Sequence, residues 1–411
     1  MSFSTMGLSD PLLRGVLASG YTTPTEIQSQ AIPEVVSGRD VIGCAQTGTG
    51  KTAAFVLPIL NRICDGPPPK KRRIKSLILT PTRELAVQIE QSIRTYGQFV
   101  NVRTVTVYGG VAIKKQLTAL RRGVDIVVAT PGRLMDHMRR RTVDFRAIEV
   151  FVLDEADRMF DMGFINDVRK IIAAVPEKRQ TLLFSATIPP EVQRLAAGIQ
   201  EDPKMIQVGE QHNPIDTITQ RVHAVMRQRK MDLLLHMLQN GSMCSVLVFS
   251  RTKYGADKIT RKLERAGIDC VAIHSGRNQS QRQRALDDFK RGKYQVMVAT
   301  DIVARGIDVQ GISHVVNFDV PLFAQDYVHR IGRTGRATAT GDAITFVAPD
   351  EYDYLRKIER FIGCKLEPEE YEGFTSTLFT ATLARTEKQN RAQRQVARVR
   401  RAARRPRLVR R

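Results

Sequence analysis

The sequence alternates short apolar runs with longer segments of helical periodicity, and it does so twice. The apolar runs of the first half are DVIGCA, SLILTPT, VRTVTVYGG, DIVVATP, VFVLDEA and TLLFSAT. The second half repeats the pattern with SVLVFSRT, DCVAIHS, YQVMVATD, SHVVNFDVP and DAITFVAP. Apolar strands separated by helices are typical of parallel sheets that are covered on both faces. We therefore predict an α/β protein with two parallel sheets.

A stretch that follows neither pattern, VGEQHNPIDTITQ, separates the two halves. It predicts a first domain over 1–207, a linker over 208–220 and a second domain over 221–375. We expect the two domains to face each other across a cleft. Ligands of open α/β sheets bind at the carboxyl ends of the strands, so functional residues are expected there.

The charge of the chain is strongly positive and unevenly distributed. The formal net charge is +22, and the segment from Arg385 onward holds eleven arginines and one lysine against one glutamate, which is +11. Such a segment cannot bury enough apolar surface to fold, so we predict a disordered basic tail over 376–411. It is either a tether for a polyanion, because phosphate contacts add salt-sensitive affinity, or a solubility tail.

Neither a membrane segment nor a signal peptide is evident in the sequence. No apolar run approaches the roughly 18–20 residues that a membrane helix needs, and the N-terminus MSFSTMGLSDPLL lacks the layout of a signal peptide. The five cysteines form no C-x-x-C pair, so we expect neither a disulfide framework nor a zinc site. A cytoplasmic protein is the resulting expectation.

A phosphate-binding loop follows the first strand. The segment AQTGTGKT has the A-x-x-x-x-G-K-T form and opens a helix. Its glycines allow backbone N–H groups to surround phosphate, its lysine reaches the β- and γ-phosphates, and its last threonine offers a hydroxyl to Mg²⁺. The alternative is a glycine-rich turn without a ligand. The predicted nucleotide-binding residues are Ala45, Gln46, Thr47, Gly48, Thr49, Gly50, Lys51 and Thr52.

Three acids follow the strand at residues 150–153. Asp154, Glu155 and Asp157 would repel one another at the end of a buried strand unless a cation were nearby. With a phosphate-binding loop upstream, Asp154 is predicted to hold Mg²⁺ and Glu155 to orient or deprotonate the attacking water. An acid-rich helix N-terminus is the alternative.

These motifs resemble those of the DEAD-box RNA helicases over residues 1 to about 375. GYTTPTEIQ resembles the Q motif, with Phe3 upstream of it, and PTRELA, Gly109–Gly110, TPGR, SAT, FSRT, TDIVARGID and HRIGRTGR follow in the family's order. The resemblance implies two tandem RecA-like domains and an RNA-stimulated ATPase that unwinds short RNA duplexes. A compact core with a basic tail looks most like the bacterial RhlE-type subgroup.

The resemblance also implies roles for individual residues. Gln28 would pair with adenine, Phe3 or Tyr21 would pack against it, and Gly306 and Asp308 would lie at the ribose. Arg333 and Arg336 resemble arginine fingers on the γ-phosphate, although a solvated basic helix would show the same spacing. His329 and the pair Ser185 and Thr187 would link hydrolysis to RNA. The implied RNA contacts are Pro81, Thr82, Arg83, Gly109, Gly110, Thr130, Arg133, Gln279, Arg282 and Thr300.

Two other functions remain open at this stage. One is an ATP-gated RNA clamp with little unwinding, which the intact Glu155, Arg333 and Arg336 disfavour. The other is a DNA translocase, which the Q motif together with D-E-A-D disfavours.

The chain departs from the family at HSG (274–276), where His-Gly-Asp is usual. The basic loop DGPPPKKRR (65–73) is either an auxiliary RNA contact or a solvated loop.

Overall fold

A computed structural model of the chain describes residues 2–45, 48–64, 71–208, 218–241, 243–301, 309, 311–335 and 341–374. The predicted tail over 376–411 and residues 209–217 of the predicted linker lie outside the described residues. The chain divides into two compact units, which among the described residues comprise 2–208 and 218–374. Each unit is built around one parallel sheet.

The first unit contains a seven-stranded sheet in which all strands are parallel. The strand order is β3-β4-β2-β5-β6-β1-β7. The strands are β1 (Val41–Cys44), β2 (Ser76–Leu79), β3 (Thr104–Val107), β4 (Ile126–Ala129), β5 (Val150–Asp154), β6 (Gln180–Ser185) and β7 (Lys204–Gln207).

Both faces of this sheet are covered. Along β2 and β5, alternate side chains enter different cores: Leu77 and Phe151 pack on one face, and Ile78 and Val152 pack on the other. All four side chains are fully buried. Strands β2 and β5 are largely apolar because neither of their faces meets water.

The second unit repeats the architecture with its own seven-stranded parallel sheet. The order is β10-β11-β9-β12-β13-β8-β14. The strands are β8 (Ile218–Ala224), β9 (Val246–Phe249), β10 (Cys270–Ile273), β11 (Val296–Ala299), β12 (His314–Asn317), β13 (Gly341–Val347) and β14 (Pro368–Glu369). The predicted α/β class with two parallel sheets is confirmed.

Helices connect the strands in both units. Those of the first unit are α1 (Asp10–Ala18), α2 (Glu26–Val36), α3 (Lys51–Cys64), α4 (Arg83–Tyr96), α5 (Ile113–Arg122), α6 (Pro131–Arg139), α7 (Ala156–Asp161), α8 (Ile165–Ile172) and α9 (Pro190–Ala197). Those described in the second unit are α10 (Lys230–Asn240), α11 (Lys253–Arg265), α12 (Gln279–Lys290), α13 (Ala324–Ile331) and α14 (Tyr352–Ile362).

The sequence pattern did not predict three of the strands. In β7 only Ile206 is buried, and β14 has two residues, so neither carries an apolar run. Strand β8 begins at Ile218 and pairs with β13. Residues 218–220 of the predicted linker therefore lie in strand β8.

None of the described helices is both long and apolar enough to cross a membrane. No disulfide bond joins the five cysteines, all of which lie within the described residues.

Candidate functional site

The carboxyl ends of the strands in the first sheet carry two groups of motifs on neighbouring strands. The phosphate-binding loop, the acids and the SAT segment follow β1, β5 and β6, which are adjacent in the sheet. The segments PTRELA, Gly109–Gly110 and TPGR follow β2, β3 and β4, which are also adjacent. Strands β5 and β2 pair with each other, so the two groups meet at one edge.

The phosphate-binding loop has a backbone that requires glycine. Gly48 and Gly50 both have a φ of 91°, a conformation that side chains with a Cβ rarely adopt. A Cβ at Gly50 would also overlap Gln28 Nε2 and lie 3.0 Å from Thr25 Oγ1. The loop is therefore packed directly against the start of α2.

Gln28 connects the Q-motif segment to the phosphate-binding loop. Its side chain is 2% exposed; Nε2 donates to the Gly50 carbonyl at 3.2 Å, and Oε1 accepts from the Thr25 amide at 3.0 Å. Gln28 is therefore a buried residue that joins the start of α2 to the loop. Of the two aromatic residues predicted near adenine, Phe3 is buried in the core, whereas Tyr21 is 46% exposed and packs edge-on against Tyr96.

Lys51 lies at the first position of α3 and is 7% exposed. Its Nζ donates to the Ala45 carbonyl at 2.6 Å, so the ammonium folds back over the loop. Thr52 follows it and is partly exposed. A buried ammonium and the free N–H groups of a helix start are both attractive to phosphate.

The acid strand ends in a buried and electrostatically unfavourable carboxyl group. Asp154 is 3% exposed, and burial together with the neighbouring charge of Glu155 raises the pKa of Asp154 to about 7, although Lys51 opposes the shift. Glu155 has a φ of 52°, so the residue predicted to activate water has a strained backbone. Its carboxylate accepts a hydrogen bond from Arg158 Nη1 at 3.0 Å.

Arg158 is a site residue that sequence reasoning missed. Its side chain is 3% exposed, and neither Nε nor Nη2 has a hydrogen-bond partner within the described part of the chain. The spacing of three residues from Glu155 on a short helix, which places the two side chains together, could have indicated the contact.

The residues present fit a magnesium ion that is shared with a nucleotide. A carboxylate and a hydroxyl, at Asp154 and Thr52, are the hard oxygen ligands that Mg²⁺ prefers. A cation would also relieve the cost of ionising Asp154 in its buried position. No cluster of three or more metal-binding side chains occurs among the described residues, which agrees with an ion that takes most of its ligands from phosphate and water.

We predict that Asp154→Asn stabilises the protein in a pH-dependent way. The folded state holds the Asp154 proton up to a pKa of about 7, whereas an unfolded aspartate releases it near pH 4. Ionising Asp154 therefore lowers the free energy of unfolding, and this loss of stability grows as the pH rises from about 4 to about 7. Above pH 7 the loss is constant at roughly 2–4 kcal/mol. Denaturant unfolding without nucleotide or divalent cation should show a larger gain for the variant at pH 8 than at pH 5.

Asp157→Asn is the matched control, because Asp157 is a buried acid with its own hydrogen-bond donors. That variant should lose stability at pH 8. An equal gain for Asp154→Asn at both pH values would contradict the unfavourable ionisation of Asp154.

Asp157 joins the acid strand to the SAT segment. Asp157 Oδ2 accepts from the amide and the hydroxyl of Thr187 at 3.0 and 2.9 Å, and Ser185 Oγ accepts from the Asp157 amide at 3.1 Å. The pair predicted to couple hydrolysis to RNA thus contacts Asp157 on α7, directly after the acid strand.

On the other half of the edge, Arg83 lies over two glycines. A Cβ at Gly110 would overlap Arg83 Nη1, and one at Gly109 would lie 3.3 Å from Nη2. Thr82 caps α4 by accepting from the Leu85 amide at 3.3 Å, and Pro81 is buried beside it. Gly110 also has a φ of 82°, so glycine suits the backbone there and leaves room for the guanidinium group.

A buried polar network fixes Arg133 and was missed at the sequence level. Arg133 Nη1 donates to Gln116 Oε1 at 3.2 Å, and His137 Nε2 lies 3.0 Å from the same oxygen. Gln116 and His137 are 4% and 0% exposed. Thr130 is the N-cap residue of α6, so Thr130 and Arg133 lie on the first turn of one helix.

The second unit carries its predicted RNA contacts at the carboxyl ends of neighbouring strands. Gln279 and Arg282 lie in the first turn of α12, after β10, and Arg282 Nη2 donates to Gln279 Oε1. Thr300 follows β11, the neighbour of β10. At the HSG departure, the buried His274 ring lies 3.0 Å from Asp257 Oδ1.

The HRIGRTGR segment contains two described arginines with different environments. Arg330 donates to both carboxylate oxygens of Asp301 at 2.6 and 2.8 Å and to Asn317; it is 2% exposed and was not predicted as a site residue. Arg333 is 4% exposed and donates through Nε to the His329 carbonyl at 3.2 Å. A solvated helix, the alternative for Arg333, is therefore excluded.

Five predicted site residues lie outside the described residues. They are Gln46, Thr47, Gly306, Asp308 and Arg336.

Comparison with known proteins finds two family models in the chain. Residues 25–195 match the DEAD/DEAH box helicase model, and residues 229–338 match the helicase conserved C-terminal domain. The chain is 42% identical over 368 residues to the ATP-dependent RNA helicase CshA of Limosilactobacillus reuteri, covering 90% of this chain and 73% of that protein. It is 41% identical over 366 residues to the DEAD-box ATP-dependent RNA helicase RhpA of Helicobacter pylori, covering 89% and 73%.

Solved structures are similar over nearly the whole chain. Dbp5 of S. cerevisiae, bound to RNA and ADP BeF3, gives a TM-score of 0.79 at 30% identity and covers 93% of this chain and 99% of that one. A DEAD box protein from Methanococcus jannaschii gives a TM-score of 0.53 at 37% identity and covers 90% and 99%. The two units thus have the fold of these tandem RecA-like domains.

Proposed function

This chain belongs to the DEAD-box family of ATP-dependent RNA helicases, and we propose that it couples ATP hydrolysis to sequence-independent RNA binding. The outcome is local, non-processive unwinding of short duplexes or remodelling of RNA–protein complexes. The observation that carries the proposal is the shared edge of the first sheet, where phosphate-binding motifs and RNA-binding motifs follow paired strands.

In the proposed reaction, the first unit binds ATP and activates water. Backbone N–H groups of the loop and Lys51 hold the phosphates, and Gln28 reads the adenine edge. Thr52 and Asp154 would hold Mg²⁺, which when bound neutralises charge on the phosphate oxygens. Glu155 accepts a proton from the attacking water, and Arg158 holds the carboxylate in place for that purpose.

RNA is bound through its backbone. Arg83 and Arg133 present guanidinium groups, and the starts of α4 and α6 present backbone N–H groups, all of which suit phosphate and carry no base code. Preference for RNA over DNA then depends on contacts with 2′-hydroxyl groups. The Asp157 contacts with Ser185 and Thr187 connect this function to the acid strand.

The second unit contributes Arg333, Arg336 and His329 to the reaction, and Gln279, Arg282 and Thr300 to RNA binding. Because ATP and RNA each require residues of both units, each ligand favours the same state of the protein, and each strengthens the binding of the other. RNA therefore stimulates hydrolysis.

ATP hydrolysis by the full chain, measured alone, with single-stranded RNA and with DNA of the same sequence, tests the proposal. We expect stimulation by RNA only. Equal stimulation by DNA would favour a DNA translocase, and no stimulation by either would contradict the coupling.

A second candidate function is an ATP-gated RNA clamp. A strand-displacement assay on a short duplex distinguishes it from a helicase. Release of the strand with ATP supports a helicase. RNA retention without strand release, at normal ATPase rates, would support the clamp.

Finer features of this protein are also proposals. An RhlE-type subgroup rests on the compact core and basic tail, but the similar relatives above are named CshA and RhpA, so the comparisons do not support it. We propose a cytoplasmic location because the spacing of the five cysteines suits a reducing compartment. Ribonucleoprotein or RNA-decay partners fit a backbone-binding enzyme, and the biological RNA is unassigned.

We predict that deleting residues 385–411 weakens RNA binding and reduces its dependence on salt, because the segment carries +11 of the net charge. The ATPase rate at saturating RNA should be unchanged. Affinity measured at several salt concentrations checks this, and an unaltered slope would favour the solubility tail.

A further inference from the structure

The amino-terminal edge of the first sheet, opposite the site, carries a group of exposed cations. They precede β2, β3 and β4, three strands that are adjacent in the sheet. We call this group the basic corner, and it consists of Lys71, Arg73, Arg103, Arg121 and Arg122.

A buried acid, Asp125, fixes the loops of the basic corner together. Asp125 is 2% exposed. Its carboxylate accepts from Arg72 Nη1 and, at 2.8 Å, from the Arg103 amide. Its backbone accepts from the Lys75 amide at 2.8 Å and donates to the Arg103 carbonyl at 2.8 Å. The three loops are therefore held in one arrangement.

Two other contacts complete the arrangement. Gly123, with a φ of 80°, lies so close to Arg72 that a Cβ would be 3.0 Å from the Arg72 carbonyl oxygen, which brings the end of α5 against the loop before β2. Hydrogen bonds from Arg146, helped by the nearby charge of Arg73, lower the pKa of Asp144 to about 2. The loop before β5 thus borders the corner.

Every acid in these segments is already paired with another cation. Residues 71–75, 97–103, 121–125 and 142–149 contain three acids, which pair with Arg72, Arg146 and Lys75. The five cations of the basic corner form no ion pair with any described residue. Among the described residues, these five exposed cations therefore have no carboxylate at ion-pair distance.

We propose that the basic corner is a second RNA-binding surface, which contacts the phosphates of RNA beyond the segment held at the site. The proposal rests on the RNA-dependent activity proposed above. Four of the five cations are arginines, which suit phosphate. Phe99, a large exposed apolar side chain in these segments, lies beside a further cation, because the Arg14 guanidinium is 4.6 Å from its ring centroid.

The basic corner is separated from the site by the length of the strands. From Lys75 to Pro81 the chain runs along β2 for six residues, which is roughly 20 Å at about 3.3 Å per residue. A short oligonucleotide that fills the site does not reach the corner, whereas a longer RNA can contact both.

The test replaces three of the arginines by glutamine in the full chain, as R103Q/R121Q/R122Q. RNA affinity is measured against salt concentration with an RNA of about 10 nucleotides and one of about 40 nucleotides. For the longer RNA, the slope of log affinity against log salt should fall by about 2, at roughly 0.7 per lost phosphate contact. For the short RNA, the affinity and the stimulated ATPase rate should match those of the unmodified chain.

A matched control removes three exposed cations from α11 of the second unit, as R261Q/K262Q/R265Q. It should leave both slopes unchanged. An unchanged slope of the corner variant with the longer RNA, while short RNA still stimulates the ATPase, would overturn the second surface and leave the helicase function standing. Loss of binding to anionic vesicles with unchanged RNA slopes would assign the corner to a lipid surface and would also overturn the proposal.

Discussion

Glu155→Gln is expected to reduce RNA-stimulated ATP turnover by about 10²–10⁴-fold, the usual range for a positioned acid–base group. Glutamine has the size of glutamate, and its Oε1 can still accept the hydrogen bond that Arg158 Nη1 now donates at 3.0 Å. It cannot accept a proton from water. The fold and the position of the side chain should therefore persist while the chemical step is lost.

Ligand binding should survive in the same variant. The charge of Glu155 contributes to the raised pKa of Asp154, so its removal makes Asp154 easier to ionise and does not weaken an ion held there. Equilibrium binding of ATP with Mg²⁺ and of RNA should equal that of the unmodified chain, and turnover should be measured with both ligands saturating. Turnover within a few-fold of the unmodified chain would remove Glu155 from its proposed role.

The sequence predicted those parts of the fold that depend on local pattern. The apolar runs at residues 76–79 and 150–154 predicted buried parallel strands because both faces of the sheet are covered. The edge strands β7 and β14 carry too few buried side chains to produce such a pattern. Strand β8 was missed because its start, Ile218–Gln220, has a mixed burial pattern and follows a stretch without periodicity.

The candidate site likewise contains residues that the sequence could predict and residues that it could not. The phosphate-binding loop and the acids could be predicted because the chemistry depends on residues that are close in sequence. Contacts between segments that are distant in sequence could not be predicted: Gln116 on α5 fixes Arg133 on α6 across 17 residues, and Asp301, after β11, fixes Arg330 on α13 across 29. Nothing in the local spacing of these residues indicates that they meet.

Arg333→Lys should reduce ATP turnover by roughly 10³-fold or more, the scale of an arginine that stabilises charge on a transferring phosphoryl group. Lysine keeps the charge but loses the planar fork of donors. Because Arg333 is buried and held by the His329 carbonyl, a cationic replacement is the variant that preserves folding best. Turnover is measured at saturating ATP and RNA, with the temperature of unfolding recorded alongside.

Arg330→Lys is the control from the same segment, three residues away, and it should fail for a different reason. Arg330 is bonded to both oxygens of Asp301, to Asn317 and to the Asp319 carbonyl, and lysine cannot reproduce these bonds. Disrupting a buried ion pair of this kind costs about 3–5 kcal/mol, so the second unit should unfold at lower denaturant. Arg333→Lys should lose turnover with little loss of stability. Arg330→Lys should lose stability but keep its turnover at temperatures where it stays folded. Turnover near that of the unmodified chain in a folded Arg333→Lys variant would show that Arg333 does not act on the phosphate.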